Sequence, residues 1–245
     1  TTTFASFLHP VTKRIYHLSK NGTYALLMGF LCGFPMGAKV ITELYKNKKL
    51  SKDEANSLLP ICNNIGPIFM LTYGLRTFVS KNSYVILFLF YGIPLVYAYF
   101  ILRKKSFVSC TMKNNERMPF SVALDESISE GAAGILSLGG YLMFFSILSI
   151  LPKEFLKLSN QVSSLCACLL EITDGLSYAT DLPSYVLLSL LQFGGICCIF
   201  QTIKYLANTD LSLRHYLIHK FFLSVITLVF FFVFDVFFSS AFFAL

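Results

Sequence analysis

The sequence predicts an all-α, polytopic integral membrane protein built from broken or re-entrant helices, with an inverted repeat. Three observations predict it. The 245 residues are 55% hydrophobic and 16% aromatic but only 13% charged, where soluble globular proteins carry about 25% charged residues. A water-soluble fold of this size would have to expose a large share of that apolar surface, so lipid is the solvent the composition suits. Several apolar segments also reach the roughly 20 residues that a helix needs to cross hydrocarbon. Finally, the basic residues sit in short clusters beside those segments, as in Arg103-Lys104-Lys105 after Tyr84–Leu102, which is how membrane proteins fix orientation. The net charge of +7 therefore does not point to nucleic acid, which would require a continuous basic face.

Two segments read as clean crossings, Tyr84–Leu102 and Phe221–Leu245. A third, Gly131–Leu151, is long enough and carries Gly134, Gly139 and Gly140, which suit close helix packing. Four others are interrupted: Thr23–Tyr45 by Gly33-Phe34-Pro35-Met36-Gly37, Leu58–Val79 by Asn63-Asn64-Ile65-Gly66-Pro67, Phe155–Ala179 by Glu171-Ile172-Thr173-Asp174-Gly175, and Leu182–Ala207 by Gly194-Gly195. In hydrocarbon every backbone N–H and C=O needs a partner, so non-helical backbone at that depth is tolerated only inside protein or along a wet cavity. The four breaks together imply an interior site, although any single one is also compatible with simple packing or a kink.

The chain reads as a single transmembrane domain over residues 1–245, its first half near 20–105 and its second near 120–245. The linkers Lys46–Ser57 and Arg103–Pro119 are both basic, which puts them on one, cytoplasmic, side if the two segments between them both cross. Lys13, Arg14 and Lys20 then fall on the wrong side unless Thr23–Tyr45 is a re-entrant hairpin. A shift of 161 residues lays Leu26-Leu27 on Leu187-Leu188, Gly33 on Gly194 and Leu50-Ser51 on Leu211-Ser212. With five crossings counted between the copies, the second would be inverted, as in secondary transporters. The chain opens on Thr1-Thr2-Thr3 without Met, so further residues are expected before it. The seven cysteines show no CxxC pair or zinc spacing, and neither a disulfide nor a bound metal is expected.

The candidate solute-binding residues follow from the breaks. Gly33, Phe34, Pro35 and Gly37 free N–H groups at a half-helix N-terminus, which favours anions. Lys39 follows them within an apolar helix, where a Lys costs about 2.5–3.5 kcal/mol on insertion scales. The other reading of Lys39 is a side chain that snorkels to the interface beside Glu43. Pro67 has no N–H, so the Asn63 carbonyl loses its helical partner. That carbonyl, with the amides of Asn63 and Asn64 and with Gly66, can hold a solute or cation, or else the amides cap broken helix ends. Glu171, with Thr173 in the same break, is a candidate proton relay or ion-coupling group, the coupling ion being H+ or Na+. Asp174-Gly175 reads equally as turn chemistry. Gly194 and Gly195, followed by Gln201, complete the set. His215 and His219 are four apart, but no third ligand is near and Arg214 and Lys220 adjoin them, so an interfacial role is expected. No nucleophile–base or phosphate-loop motif is present, so no enzyme is expected.

The motifs Gly33-Phe34-Pro35-Met36-Gly37-Ala38-Lys39, Glu43-Leu44, Leu50-Ser51, Glu54-Ala55 and Cys62-Asn63-Asn64-Ile65-Gly66-Pro67-Ile68-Phe69 together resemble the YlbJ family of sporulation integral membrane proteins, within the nucleoside-recognition or Gate domain group. Gly139-Gly140-Tyr141, Leu170–Gly175 and Phe193-Gly194-Gly195 with Gln201 fit the same pattern. Members of that family look longer at the N-terminus, with extra apolar helices. The resemblance implies a fold similar to concentrative nucleoside transporters, a bacterial cell or outer forespore membrane, and dipicolinic acid as cargo in sporulation. The expectation is therefore a transporter whose partners are a small solute and the bilayer, with a homo-oligomer left open. The alternative is a non-transporting membrane scaffold needed for spore formation.

Overall fold

The computed structural model describes residues 2–74, 83–105, 107, 119–179 and 182–242. Their regular elements are all helices, with no strand among them. In chain order the helices are α1 (Thr2–Tyr16), α2 (Lys20–Cys32), α3 (Met36–Lys46), α4 (Lys52–Cys62), α5 (Pro67–Phe69, running on as a π turn over Met70–Gly74), α6 (Ser83–Leu102), α7 (Phe120–Glu154), α8 (Asn160–Leu170), α9 (Ile172–Tyr178), α10 (Ser184–Phe193), α11 (Gly195–Leu206) and α12 (Leu213–Phe242). Among the described residues four runs are long and apolar enough to cross a membrane: Tyr84–Leu102, Phe120–Glu154, Ser184–Leu206 and Leu213–Phe237.

The four sequence breaks are real interruptions, but they are of two kinds. At Gly33–Pro35 and at Glu171 the chain turns back. The Asn21 amide at the start of α2 donates to the Lys49 carbonyl beyond the end of α3 (2.9 Å), so α2 and α3 enter and leave on one side. The Ser164 hydroxyl of α8 donates to the Tyr178 carbonyl at the end of α9 (2.8 Å), so this pair is a hairpin too. At Asn63–Gly66 and at Gly194 the chain continues, and neither α4 and α5 nor α10 and α11 pack back on each other. Local chemistry sets these ends. Ser19 and Ser51 cap α2 and α4, accepting from Gly22 N and Glu54 N. Pro67 opens α5, where its missing N–H costs nothing. Gly194 closes α10 in the left-handed region, at φ 89°.

This arrangement corrects two expectations. Phe155–Ala179 is not a crossing: α7 ends at Glu154, and the α8–α9 hairpin returns to the side it left. The 161-residue shift is not the structural correspondence either, because Gly33 lies at a hairpin tip and Gly194 within a continuing helix. The orientation conflict at Lys20 also dissolves, because the α2–α3 hairpin returns that end of the chain to the basic side. There Lys52 pairs with Asp210 (2.7 Å), Lys105 donates to Ser57 (2.8 Å) and Ser212 N donates to the Asn56 side chain (2.8 Å). The linkers 47–51, 103–105 and 207–212 thus share one face. Most of the basic linker 103–119, and residues 75–79 of Leu58–Val79, lie outside the described residues.

Two buried apolar clusters hold the helices together. One joins α2, α3 and α4 with Ala98, Leu102 and Tyr216. The other joins α6, α8, α9 and α10 with Leu223 and Phe231. Helix α7 packs against α8 and α11, with Phe145 against Phe200, and exposes much of its remaining apolar surface. An added Cβ at Gly131, Gly134, Gly139 or Gly140 would meet nothing within 4 Å, so these glycines do not serve close packing among the described residues, contrary to expectation.

Candidate functional site

The site begins with an unwound strip of backbone. Between α4 and α5 the residues Asn63–Ile65 leave the helix, and their carbonyls must find partners elsewhere. Each does so on a different element. The Asn63 carbonyl accepts from Lys220 Nζ of α12 (3.1 Å), the Asn64 carbonyl from Phe34 N at the α2–α3 tip (2.7 Å), and the Ile65 carbonyl from the Tyr91 hydroxyl of α6 (2.7 Å). The side chains extend the joint. Asn63 Nδ2 donates to Thr202 (2.7 Å) and to the Tyr216 hydroxyl (3.1 Å). Asn64 Oδ1 accepts from Gln192 Nε2 (3.0 Å) and Lys220 Nζ (2.9 Å). Lys220, 1% exposed, also sits over the Phe34 ring, 4.9 Å from its centroid.

Glycines let the four breaks touch. A Cβ on Gly33 would lie 2.3 Å from Gly66 N, and one on Gly194 would lie 2.5 Å from the Phe34 ring. Gly195 lies against the carbonyls of Cys168 and Leu169. The α2–α3 tip thus meets the α4–α5 break, the α8–α9 tip meets the α10–α11 break, and Phe34 bridges the two halves. Beside this junction is a cavity of about 340 Å³ lined by Phe34, Gly66, Glu171, Thr173, Cys198 and Gln201, with Leu138 and Leu142 of α7 on its flank.

The candidate residues therefore separate. Phe34, Gly66, Glu171, Thr173 and Gln201 line the cavity. Glu171 is also the N-cap of α9, its Oε2 accepting from Asp174 N (2.7 Å), and Gln201 donates to Cys197 Sγ (3.2 Å). Pro35 is the N-cap residue of α3, and Gly33, Gly37, Gly194 and Gly195 are packing points. Asn63 and Asn64, at most 1% exposed, spend their amides inside the protein, away from the cavity wall. Lys39 lies off the cavity and faces α7, pairing with Glu130 (3.1 Å) and Glu43 (3.6 Å). His219 Nδ1 is bonded to the Tyr97 hydroxyl (2.6 Å). At the basic face the Lys52 ammonium and the Tyr45 hydroxyl hold the Asp210 carboxyl below the usual aspartate range.

The sequence reading missed Lys220, Gln192, Thr202 and Tyr216. A signal for Lys220 existed: it is the last basic residue of α12 and is followed by a run in which Asp235 is the one charge. Its proximity in sequence to Arg214 and the two histidines disguised that.

No protein-family model matches the chain, and no solved structure matches it. The chain is similar to a sporulation integral membrane protein, YlbJ, of Bacillus subtilis (strain 168), with 23% identity in a match that covers 91% of this chain. It spans 66% of that relative's length. The similarity agrees with the motif resemblance, and with the apolar helices it places the chain among multi-pass integral membrane proteins.

Proposed function

Starting from YlbJ-type family membership, we propose that this multi-pass membrane protein carries a small organic anion across a bilayer of the sporulating cell. The observation that carries the reading is the meeting of two hairpin tips and two interrupted helices beside one cavity. Three passages, α4–α5, α6 and α7, separate the hairpins. An odd number sets the second hairpin upside down relative to the first, and inverted halves are the arrangement in which transporters place a substrate site at mid-depth. The cavity offers a ring face at Phe34, polar groups at Thr173 and Gln201, and a carboxyl at Glu171. The Lys220 ammonium behind the Phe34 ring adds positive charge. A planar aromatic anion fits this set, and dipicolinate is the cargo the family resemblance suggests. Glu171 is the acidic side chain of the cavity and takes the ion-coupling role in this reading.

The test is uptake of dipicolinate, other aromatic dicarboxylates and nucleosides into proteoliposomes holding the purified protein. Saturable uptake of a dicarboxylate above protein-free vesicles, weakened by Phe34→Ala, is expected. Uptake of none of them above that background overturns the reading and leaves the scaffold role.

A further inference from the structure

We propose that the Lys220 ammonium is this protein's resident cation, tethered in the place where the unwound α4–α5 backbone would otherwise bind a metal ion, so that the joint requires no Na+. The inference bears on transport only through the reading above, since it makes uptake independent of Na+. Its structural core does not need that reading.

Unwound carbonyls within a membrane domain are the groups with which transporters coordinate a monovalent coupling ion. Here that place is taken. Lys220 Nζ has three N–H donors and three directions of contact: the Asn63 carbonyl at 3.1 Å, Asn64 Oδ1 at 2.9 Å and the face of Phe34. None of these is an anion. Among the described residues no carboxylate lies within ion-pair distance of Nζ, so the charge is not neutralised in the usual way for a buried Lys. It is solvated instead by carbonyl and amide oxygens and a ring, as a bound metal ion is. The surroundings hold a surplus of acceptors, for Asn63 Oδ1 and Gln192 Oε1 are both buried without a donor among the described residues. The tether is rigid. Helices α10 and α12 are clasped by Ser189 and Ser224, whose hydroxyls each donate to the other's carbonyl (3.0 and 2.9 Å).

The experiment compares melting of purified wild type and Lys220→Ala in detergent. The salts are sodium, methylammonium and N-methylglucamine chloride at equal ionic strength. Wild type is expected to melt at one temperature in all three. Lys220→Ala is expected to melt several degrees lower in N-methylglucamine and to recover at least half of that loss in sodium or methylammonium. A wild type stabilised by sodium over N-methylglucamine overturns the proposal, because a separate cation site must then exist. A Lys220→Ala melting temperature that is the same in every salt also overturns it. If Lys220→Ala cannot be recovered folded in any salt, the wild-type comparison decides alone. Cation rescue in a protein that takes up no solute would sink the transport reading and leave this one standing.

Discussion

The α2–α3 hairpin is held at its depth by contacts that leave no room for a methyl group, and Gly37→Ala tests this. A Cβ built on Gly37 lies 2.3 Å from the Cys62 carbonyl oxygen, 2.8 Å from its carbon and 3.2 Å from Asn63 Cα. Ordinary heavy-atom contacts sit near 3.5 Å, so the shortfall is about 1 Å, and the obstructing atoms are backbone that cannot rotate away. The same Cys62 carbonyl lies 2.4 Å from a Cβ on Gly29, so α4 is gripped from both arms of the hairpin and cannot yield sideways. Overpacking of this kind costs roughly 1–3 kcal/mol. At about 2–4 °C per kcal/mol for a chain of this size, Gly37→Ala should melt on the order of 2–12 °C below wild type. The readout is thermal exposure of the buried thiols of Cys62, Cys168, Cys197 and Cys198 to a thiol-reactive dye in detergent. Gly134→Ala on α7 is the control, since its Cβ meets nothing within 4 Å, and it should melt at or slightly above the wild-type temperature. A Gly37→Ala protein melting within 1 °C of wild type would refute the reasoning, as would an equal loss in the control.

Two further outcomes follow from the shared basic face. With native cysteines replaced, single cysteines at Asn47 and Asn208 should react with an impermeant reagent from one side of the membrane and one at Lys157 from the other; Asn47 and Lys157 reacting from the same side would remove the three-passage count between the hairpins. Because the Asp210 carboxyl is held below its ordinary range by Lys52 and Tyr45, its contribution is present above the unfolded aspartate value and is lost as pH falls through the lower folded value. Asp210→Asn should therefore melt slightly below wild type at pH 7, and the gap should close in acid; a gap that persists well below the aspartate range would show that the carboxylate is not its source.

The breaks were legible in the sequence because they are local. Gly-Phe-Pro-Met-Gly and Asn-Asn-Ile-Gly-Pro each crowd helix breakers into five residues of an apolar run, a signal that needs no knowledge of the rest of the fold. The free Asn63 carbonyl was legible too, from the position of Pro67 alone. The direction of the chain after a break was not legible. Gly33 and Gly194 read alike in sequence, yet one turns the chain back and the other lets it continue. The choice rests on tertiary partners such as Lys49 for Asn21 and Tyr178 for Ser164. The binding set was legible in part for the same reason. Phe34, Gly66, Glu171, Thr173 and Gln201 reach the cavity because the breaks do. The amides of Asn63 and Asn64 turn inward because α10, α11 and α12 supply Gln192, Thr202, Tyr216 and Lys220. The depth of Lys220 is set by those contacts across about 157 residues of sequence separation, which no local pattern encodes.

Helix α7 doubles as a depth gauge. Its 35 residues at about 1.5 Å each measure about 52 Å, against a hydrocarbon layer of about 30 Å. Even a lean of 40°, the upper end of the usual range, takes up only about 39 Å. Some nine residues must therefore stand in the headgroup region or beyond. The acidic end with Asp125, Glu126 and Glu130 is the part that belongs there, which sets Glu130 near the waterline. The 3.1 Å contact between Lys39 and Glu130 then reads as a mark on a dipstick. Lys39 reaches up to the edge of the oil, and the Phe34 tip lies more than a helical turn below it.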